Sequence, residues 1–139
     1  LKRFVLDASV ALAWFVDDPV SSYARLVAQS LVRDARAVVP SLWHLEMANG
    51  LAVAERRQIL TSQDVALCVA QIEQLLSQAI ESQTDFISFR EALTAARTPG
   101  LSAYDAVYLE TARRERLALA TLDQRLRRSA NRAGVAIFM

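Results

Sequence analysis

The 139 residues include one cysteine, one histidine and a single lysine, Lys2. A lone Cys68 allows no intrachain disulfide, and on an apolar helical face it reads as a buried thiol. That favours a reducing, cytoplasmic compartment. A single histidine, His44, excludes a Cys/His zinc cluster. It also leaves no credible Ser/His/Asp triad, and two positions from Glu46 it points to another helix face. The chain has no GxxxxGK[ST] loop and no GxGxxG fingerprint, so the common phosphate cradles are absent. Asp7 begins Asp-Ala-Ser, not the Asp-x-Asp of an aspartyl-nucleophile phosphatase. No apolar run approaches the roughly 20 residues that span a bilayer. The opening LKRFVLDAS lacks the long h-region and cleavage site of a signal peptide. It starts on Leu1 rather than Met, so a processing site or a cut boundary is expected just upstream.

What is present points to one α/β domain over residues 1–139. Apolar residues make up 53%, enough for a real core. Phe4–Leu6, Ala37–Val39, Leu117–Leu122 and Val135–Phe138 read as short strands, and Ala79–Ser82 as a weaker one. Helices are expected from Ser9, from about Val20 to Val32, from Ser41, and from Thr61 or Ser62. Others are expected over Phe86–Ala96, from Asp105, and over Asp123–Asn131. Ser9 and Ser41 are the expected caps. Pro99-Gly100 breaks the fifth helix and Gly134 ends the last. Gly50, inside the third, permits close helix packing. No linker, repeat or low-complexity segment divides the chain. Strands alternating with single or paired helices imply a mostly parallel sheet of four or five strands, covered on both faces.

The stretch Leu101–Leu126 organises the rest. From Asp105 to Glu115 a helix climbs about 15 Å. From Leu117 to Thr121 a strand descends about 13 Å. Asp123 is therefore expected beside Asp105 at the carboxyl edge of the sheet, where open α/β sheets hold ligands. Asp7 follows the first strand, and Glu46 lies early in the helix after Pro40, so four acids share one kind of address. Such a group repels itself, more so when buried. A divalent cation offsets the repulsion, and oxygen-only ligation selects Mg²⁺ or Mn²⁺ over zinc.

Each acid also has a plainer reading, weakest for Glu46, which capping explains least and which would lie at a helix edge or have a partner. Asp7 and Asp123 suit helix starts, and Asp105 closes Ser102-Ala103-Tyr104-Asp105 as a capping box. Trp14, Phe15, Trp43 and Tyr108 read as core, and Tyr104 as partly exposed. Net charge is only +1, yet residues 113–132 hold seven arginines against Glu115 and Asp123, giving +5 there and −4 elsewhere. That asymmetry suits a surface meeting a polyanion beside a site made of acids, with a solvated helix face as the bland alternative. Fifteen arginines to one lysine favour recognition of phosphate or carboxylate by planar forks.

FVLDASVALAW (4–14), PSLWHLEMAN (40–49), LSAYDAVYL (101–109) and ATLDQRL (120–126) together resemble the PIN-domain ribonucleases. The likeness is greatest to the VapC-type toxins of bacterial toxin–antitoxin pairs, and it covers essentially the whole chain in order. It implies a PIN-like three-layer α/β fold. It also implies Mg²⁺- or Mn²⁺-dependent RNA cleavage, with one or two ions per site, leaving a 5′-phosphate and a 3′-hydroxyl. By carry-over, Asp7, Glu46, Asp105 and Asp123 form the acidic metal site. Ser9 and Thr121 are the supporting hydroxyls, Asn49 the helix Asn beside the acid, and Ser102 supports Asp105 as its cap. The expected partners are an RNA substrate, a cognate antitoxin and a second copy in a homodimer, with no membrane. With no His or Lys base in view, the nucleophile is expected to be water whose pKa a metal lowers. Asp7 and Asp105 would hold the principal ion, Glu46 the ion or the water, and Asp123 a second ion or the substrate side. Arg125 and Arg128, three apart, share a face expected to line the RNA approach. A non-toxin PIN nuclease in RNA processing and an inactive PIN-like binding module stay open as rival readings.

Overall fold

Strands buried on both faces need no alternation, which is why the apolar runs in this chain are continuous. Phe4, Val5, Leu6, Ala37, Val38, Val39, Leu119 and Ala120 are all fully buried. The computed structural model describes residues 2–98 and 100–139; Pro99, the expected helix breaker, lies outside them. Among the described residues four strands form, β1 (Arg3–Leu6), β2 (Arg36–Val39), β3 (Ile80–Ser82) and β4 (Ala118–Ala120). Around them lie α1 (Ala8–Val16), α2 (Ser22–Arg33), α3 (Ser41–Arg56), α4 (Ser62–Gln78), α5 (Phe89–Ala96), α6 (Ala103–Glu115) and α7 (Gln124–Arg132). None of these helices is long and apolar enough to cross a membrane.

The sheet runs β3-β2-β1-β4, with every pair parallel. Val5 faces Val38 on one side and Leu119 on the other. The chain leaves β1 for β2 on one flank and later returns to the opposite flank in β4. That reversal makes the carboxyl ends of β1 and β4 the topological switch point, where α/β sheets open a crevice. Asp7 and Thr121 are the first residues past those two strands. The Asp7 amide donates to the Ala120 carbonyl at 2.9 Å, holding the two chain exits side by side.

The helices fall into two packed groups. In one, α1 lies against α2 and α3, and α3 against α4; in the other, α6 lies against α5, α7, β1 and β4. Gly50 does permit close packing: a Cβ there would stand 2.5 Å from Leu12 Cδ2. Cys68 is buried, as expected.

Several helix starts differ from expectation. Asp7 and Pro40, not Ser9 and Ser41, occupy the cap positions of α1 and α3, and neither gives a side-chain cap bond. Thr61 and Ser88 cap α4 and α5 with full capping boxes to Asp64 and Glu91. The Ser88 box begins α5 at Phe89, so Phe86–Ser88 is not helical. Val135–Phe138 forms one bridge, Leu119 to Ile137, rather than a fifth strand. The Phe138 carbonyl accepts the Tyr23 hydroxyl at 2.9 Å.

Candidate active site

Asp7 is 5% exposed. It heads α1 without a side-chain cap hydrogen bond. Oδ2 accepts the Ser9 hydroxyl at 2.7 Å and the Thr121 hydroxyl at 2.6 Å. Both hydroxyl oxygens also accept an amide. Ser9 Oγ takes the Leu122 N–H and Thr121 Oγ1 the Asp123 N–H, each at 3.1 Å. With both hydroxyl protons committed to Asp7, the 3.4 Å between the two oxygens is a contact, not a bond. Amides that would extend β4 are thus held by side chains, which is why the strand expected through Leu122 stops at Ala120.

Asp123 caps α7. Its Oδ1 accepts the Arg125 and Leu126 amides at 2.8 and 3.2 Å. Oδ2 takes no hydrogen bond among the described residues. Asp105 is the third residue of α6, and Ser102 Oγ accepts its amide at 3.1 Å. The reciprocal bond to the Ser102 amide is not made among the described residues, so the expected capping box is half formed. Glu46 sits on α3, half-buried. Its Oε1 accepts the Tyr108 phenol at 2.5 Å.

The electrostatics tie these acids together. Burial pushes the Asp7 carboxyl above its usual range; the Thr121 and Ser9 donors oppose this, and Asp123 adds to it. For Glu46, burial again leads, countered by Tyr108 and reinforced by Asp7 and Asp105. Asp105 is raised by burial, then by Asp123 and Asp7. Among the described residues, no arginine or lysine offsets any of the three. Among the described residues, however, no three His, Cys, Asp or Glu side chains converge closely enough to cage an ion. The donor set is oxygen-only and uncompensated, which suits a hard divalent cation. Such an ion would have to draw the carboxylates inward.

Other expected residues stand further out. Asn49 is exposed and makes no side-chain bond among the described residues, and Ser102 acts on the Asp105 backbone. Arg125 and Arg128 are exposed on α7. His44 joins α3 to β3 through Ser82 at 2.7 Å, apart from the acids. Tyr104 is exposed.

Two residues were not anticipated. Tyr108 is core, as expected, but its hydroxyl reaches a site acid. The available signal was chemical: a buried tyrosine hydroxyl needs a partner. Arg127 looks like one more arginine in a basic run. Its Nε donates to the Thr121 carbonyl at 2.8 Å, and its guanidinium lies 4.5 Å over the Tyr23 ring.

A family model described as PIN domain matches residues 4–131. The chain belongs to the PIN-domain family. All four acids lie inside the matched span, and PIN domains are typically nucleases. The PIN fold is seen again in solved structures. PAE2754 from Pyrobaculum aerophilum is 23% identical, with TM-score 0.68 over 92% of this chain and 84% of that one. FitAcB from Neisseria gonorrhoeae is 20% identical, with TM-score 0.67 over 98% and 96%. A domain of a functionally unknown protein from Methanocaldococcus jannaschii is 17% identical, with TM-score 0.59 over 100% and 91%. No curated protein sequence matches the chain.

Proposed function

We propose that this PIN domain is a divalent-metal-dependent endoribonuclease and the toxin of a type II toxin–antitoxin pair. The observation that carries the nuclease reading is the crevice at the β1/β4 switch point. Three carboxyls there, Asp7, Glu46 and Asp105, are held above their usual range by burial first and by neighbouring acids second, and among the described residues no cation offsets them.

Asp7, Glu46, Asp105 and Asp123 would hold one or two Mg²⁺ or Mn²⁺ ions. When bound, such an ion lowers the pKa of water and neutralises charge on a phosphoryl group. This chain's own residues do the rest. Ser9 and Thr121 lock Asp7 through Oδ2, leaving Oδ1 to the crevice. Asp123 fixes the first turn of α7 with one oxygen and keeps the other free of that task. Arg125 and Arg128 meet RNA phosphates at the rim, contacts that carry little base information. Single-stranded or looped RNA suits the site, because its backbone is open to in-line attack.

The toxin reading draws on the sequence motifs and on the fold likeness to FitAB, a PIN toxin–antitoxin pair; one FitAB structure holds a DNA fragment. It carries a cytoplasmic location with it, and a cognate antitoxin that sets Arg or Lys against Asp7 and Asp105, or an acid against the rim arginines. A homodimer belongs to the same reading. The exposed Phe86 and Tyr104, lining one groove with Leu42, Ile87 and Val107, supply apolar surface for it. Single-turnover cleavage of a structured RNA by the purified chain, with Mn²⁺ and with excess EDTA, tests the nuclease. Cleavage undiminished by EDTA overturns it. Growth arrest on induction, relieved by the product of the neighbouring gene, tests the toxin assignment; unimpeded growth with abundant active protein overturns that.

A further inference from the structure

Glu46 is held neither by small hydroxyls, as Asp7 is, nor by helix amides, as Asp123 is, but by a phenol from another helix. A glutamate on a helix surface turns about three side-chain bonds, so without a tether it presents either oxygen in many poses. Tyr108 removes that freedom. It is 0% exposed, and its ring is packed in the core on α6. Its phenol meets Glu46 Oε1 at 2.5 Å, joining α3 to α6, helices of different packed groups. Asp105 lies three residues before Tyr108 on α6, one helical turn away. One helix thus brings a site acid and a clamp for a second acid.

We propose that Tyr108 is a positioning residue for the site, occupying Oε1 of Glu46 and leaving Oε2 as the single oxygen Glu46 offers to the crevice. The proposal rests on the nuclease reading above. An ionised carboxylate only accepts hydrogen bonds, so the phenol must donate, and the bond sets direction as well as distance. Groups that hold a ligand from behind typically change metal affinity or activity by about 10- to 100-fold when removed.

The test is a double-mutant cycle on the full chain: Tyr108→Phe, Glu46→Gln and both together. Mn²⁺ binding is read by calorimetry, and RNA cleavage by single-turnover kinetics. Tyr108→Phe keeps the buried ring and removes only the oxygen. It is expected to weaken Mn²⁺ binding about tenfold and lower the cleavage rate about tenfold or more, with KM for RNA unchanged. In the Glu46→Gln background the same change should cost less than about twofold, because the amide oxygen still takes the phenol but no carboxylate oxygen is left to be offered to the crevice. Glu46→Asp, which withdraws the carboxylate from the phenol without touching the core, should reproduce the loss, and it serves if Tyr108→Phe fails to fold. An equal loss in both backgrounds, or a Tyr108→Phe protein matching wild type in binding and rate, overturns the clamp alone. If Tyr108→Phe fails to fold, a Glu46→Asp protein matching wild type does the same. A wild-type chain that binds no Mn²⁺ overturns the nuclease reading and the clamp with it.

Discussion

The Thr121 hydroxyl donates to Asp7 Oδ2 at 2.6 Å across 114 residues of sequence. It joins the exits of two neighbouring strands at the one point where strand order reverses. Thr121→Val keeps the shape and loses both the donor to Asp7 and the acceptor of the Asp123 amide. Denaturant unfolding should show a loss of about 1–3 kcal/mol from the unpaired buried groups. Cleavage should fall about tenfold or more, whereas Thr121→Ser should stay within about twofold of wild type. A valine variant as stable and active as the serine variant would show that the hydroxyl does not position Asp7.

Asp105→Asn separates a site acid from a helix-start acid. The folded state holds the Asp105 carboxyl above its usual 3.8. In that pH window the native state binds more protons than the unfolded one, so stability falls as pH rises through it. Without metal, the asparagine variant should therefore melt with wild type below the window, and level with or above it at neutral pH. Stabilisation by added Mn²⁺ should shrink, and cleavage should fall at least about a hundredfold. Loss of metal-free stability at neutral pH with cleavage retained would leave Asp105 as a helix-start residue only.

The arginines of α7 divide by role. Arg127→Gln removes a bond to the Thr121 carbonyl and the contact over Tyr23, and should cost about 1–3 kcal/mol in thermal or chemical unfolding. Arg125→Gln with Arg128→Gln should leave stability within about 0.5 kcal/mol. The pair should instead weaken binding to many RNAs alike and flatten its dependence on salt. An unchanged salt slope would place Arg125 and Arg128 at another surface.

Gly50→Ala sets two effects against each other. Alanine gains about 1 kcal/mol of helix propensity. Its Cβ, however, would meet both Leu12 methyls and Cγ, at 2.5, 2.7 and 3.2 Å, and such overpacking costs about 1–3 kcal/mol. With three atoms in the way, a single methyl shift does not clear the space, so net destabilisation is expected. Combined with Leu12→Ala, the propensity gain should stand alone, and the double variant should unfold at higher urea than Leu12→Ala. The opposite order would mean that something other than the Leu12 side chain limits the approach of α1 to α3 at Gly50.

The placement of the candidate site was largely legible because its acids follow strand ends or open helices, and a parallel sheet gathers such positions at one edge. Asp7, Asp105 and Asp123 were placed that way, and the paired helix and strand lengths predicted the return of Asp123. What sequence did not show is where a side-chain tip goes. Periodicity assigns Tyr108 to a buried face but says nothing of its hydroxyl, and a run of arginines does not reveal that Arg127 turns inward. Ser9 reads equally well as a helix cap or as a donor to Asp7, because both uses need the same small hydroxyl near a helix start. Nor does any local pattern announce that the Phe138 carbonyl accepts the Tyr23 hydroxyl, or that Val135–Phe138 makes only a single bridge to Leu119.

The reversal of strand order also has a temporal side. Asp7 and Glu46 leave the ribosome early, whereas Asp105, Thr121 and Asp123 emerge only in the last third of the chain. β1 gains β2 as a neighbour first, and its other edge waits for β4. A chain whose synthesis stalls before α6 carries half of the acids and none of the crevice. On the nuclease reading, truncated or nascent copies are harmless to the RNA around them, and cutting ability arrives in one step when β4 docks against β1.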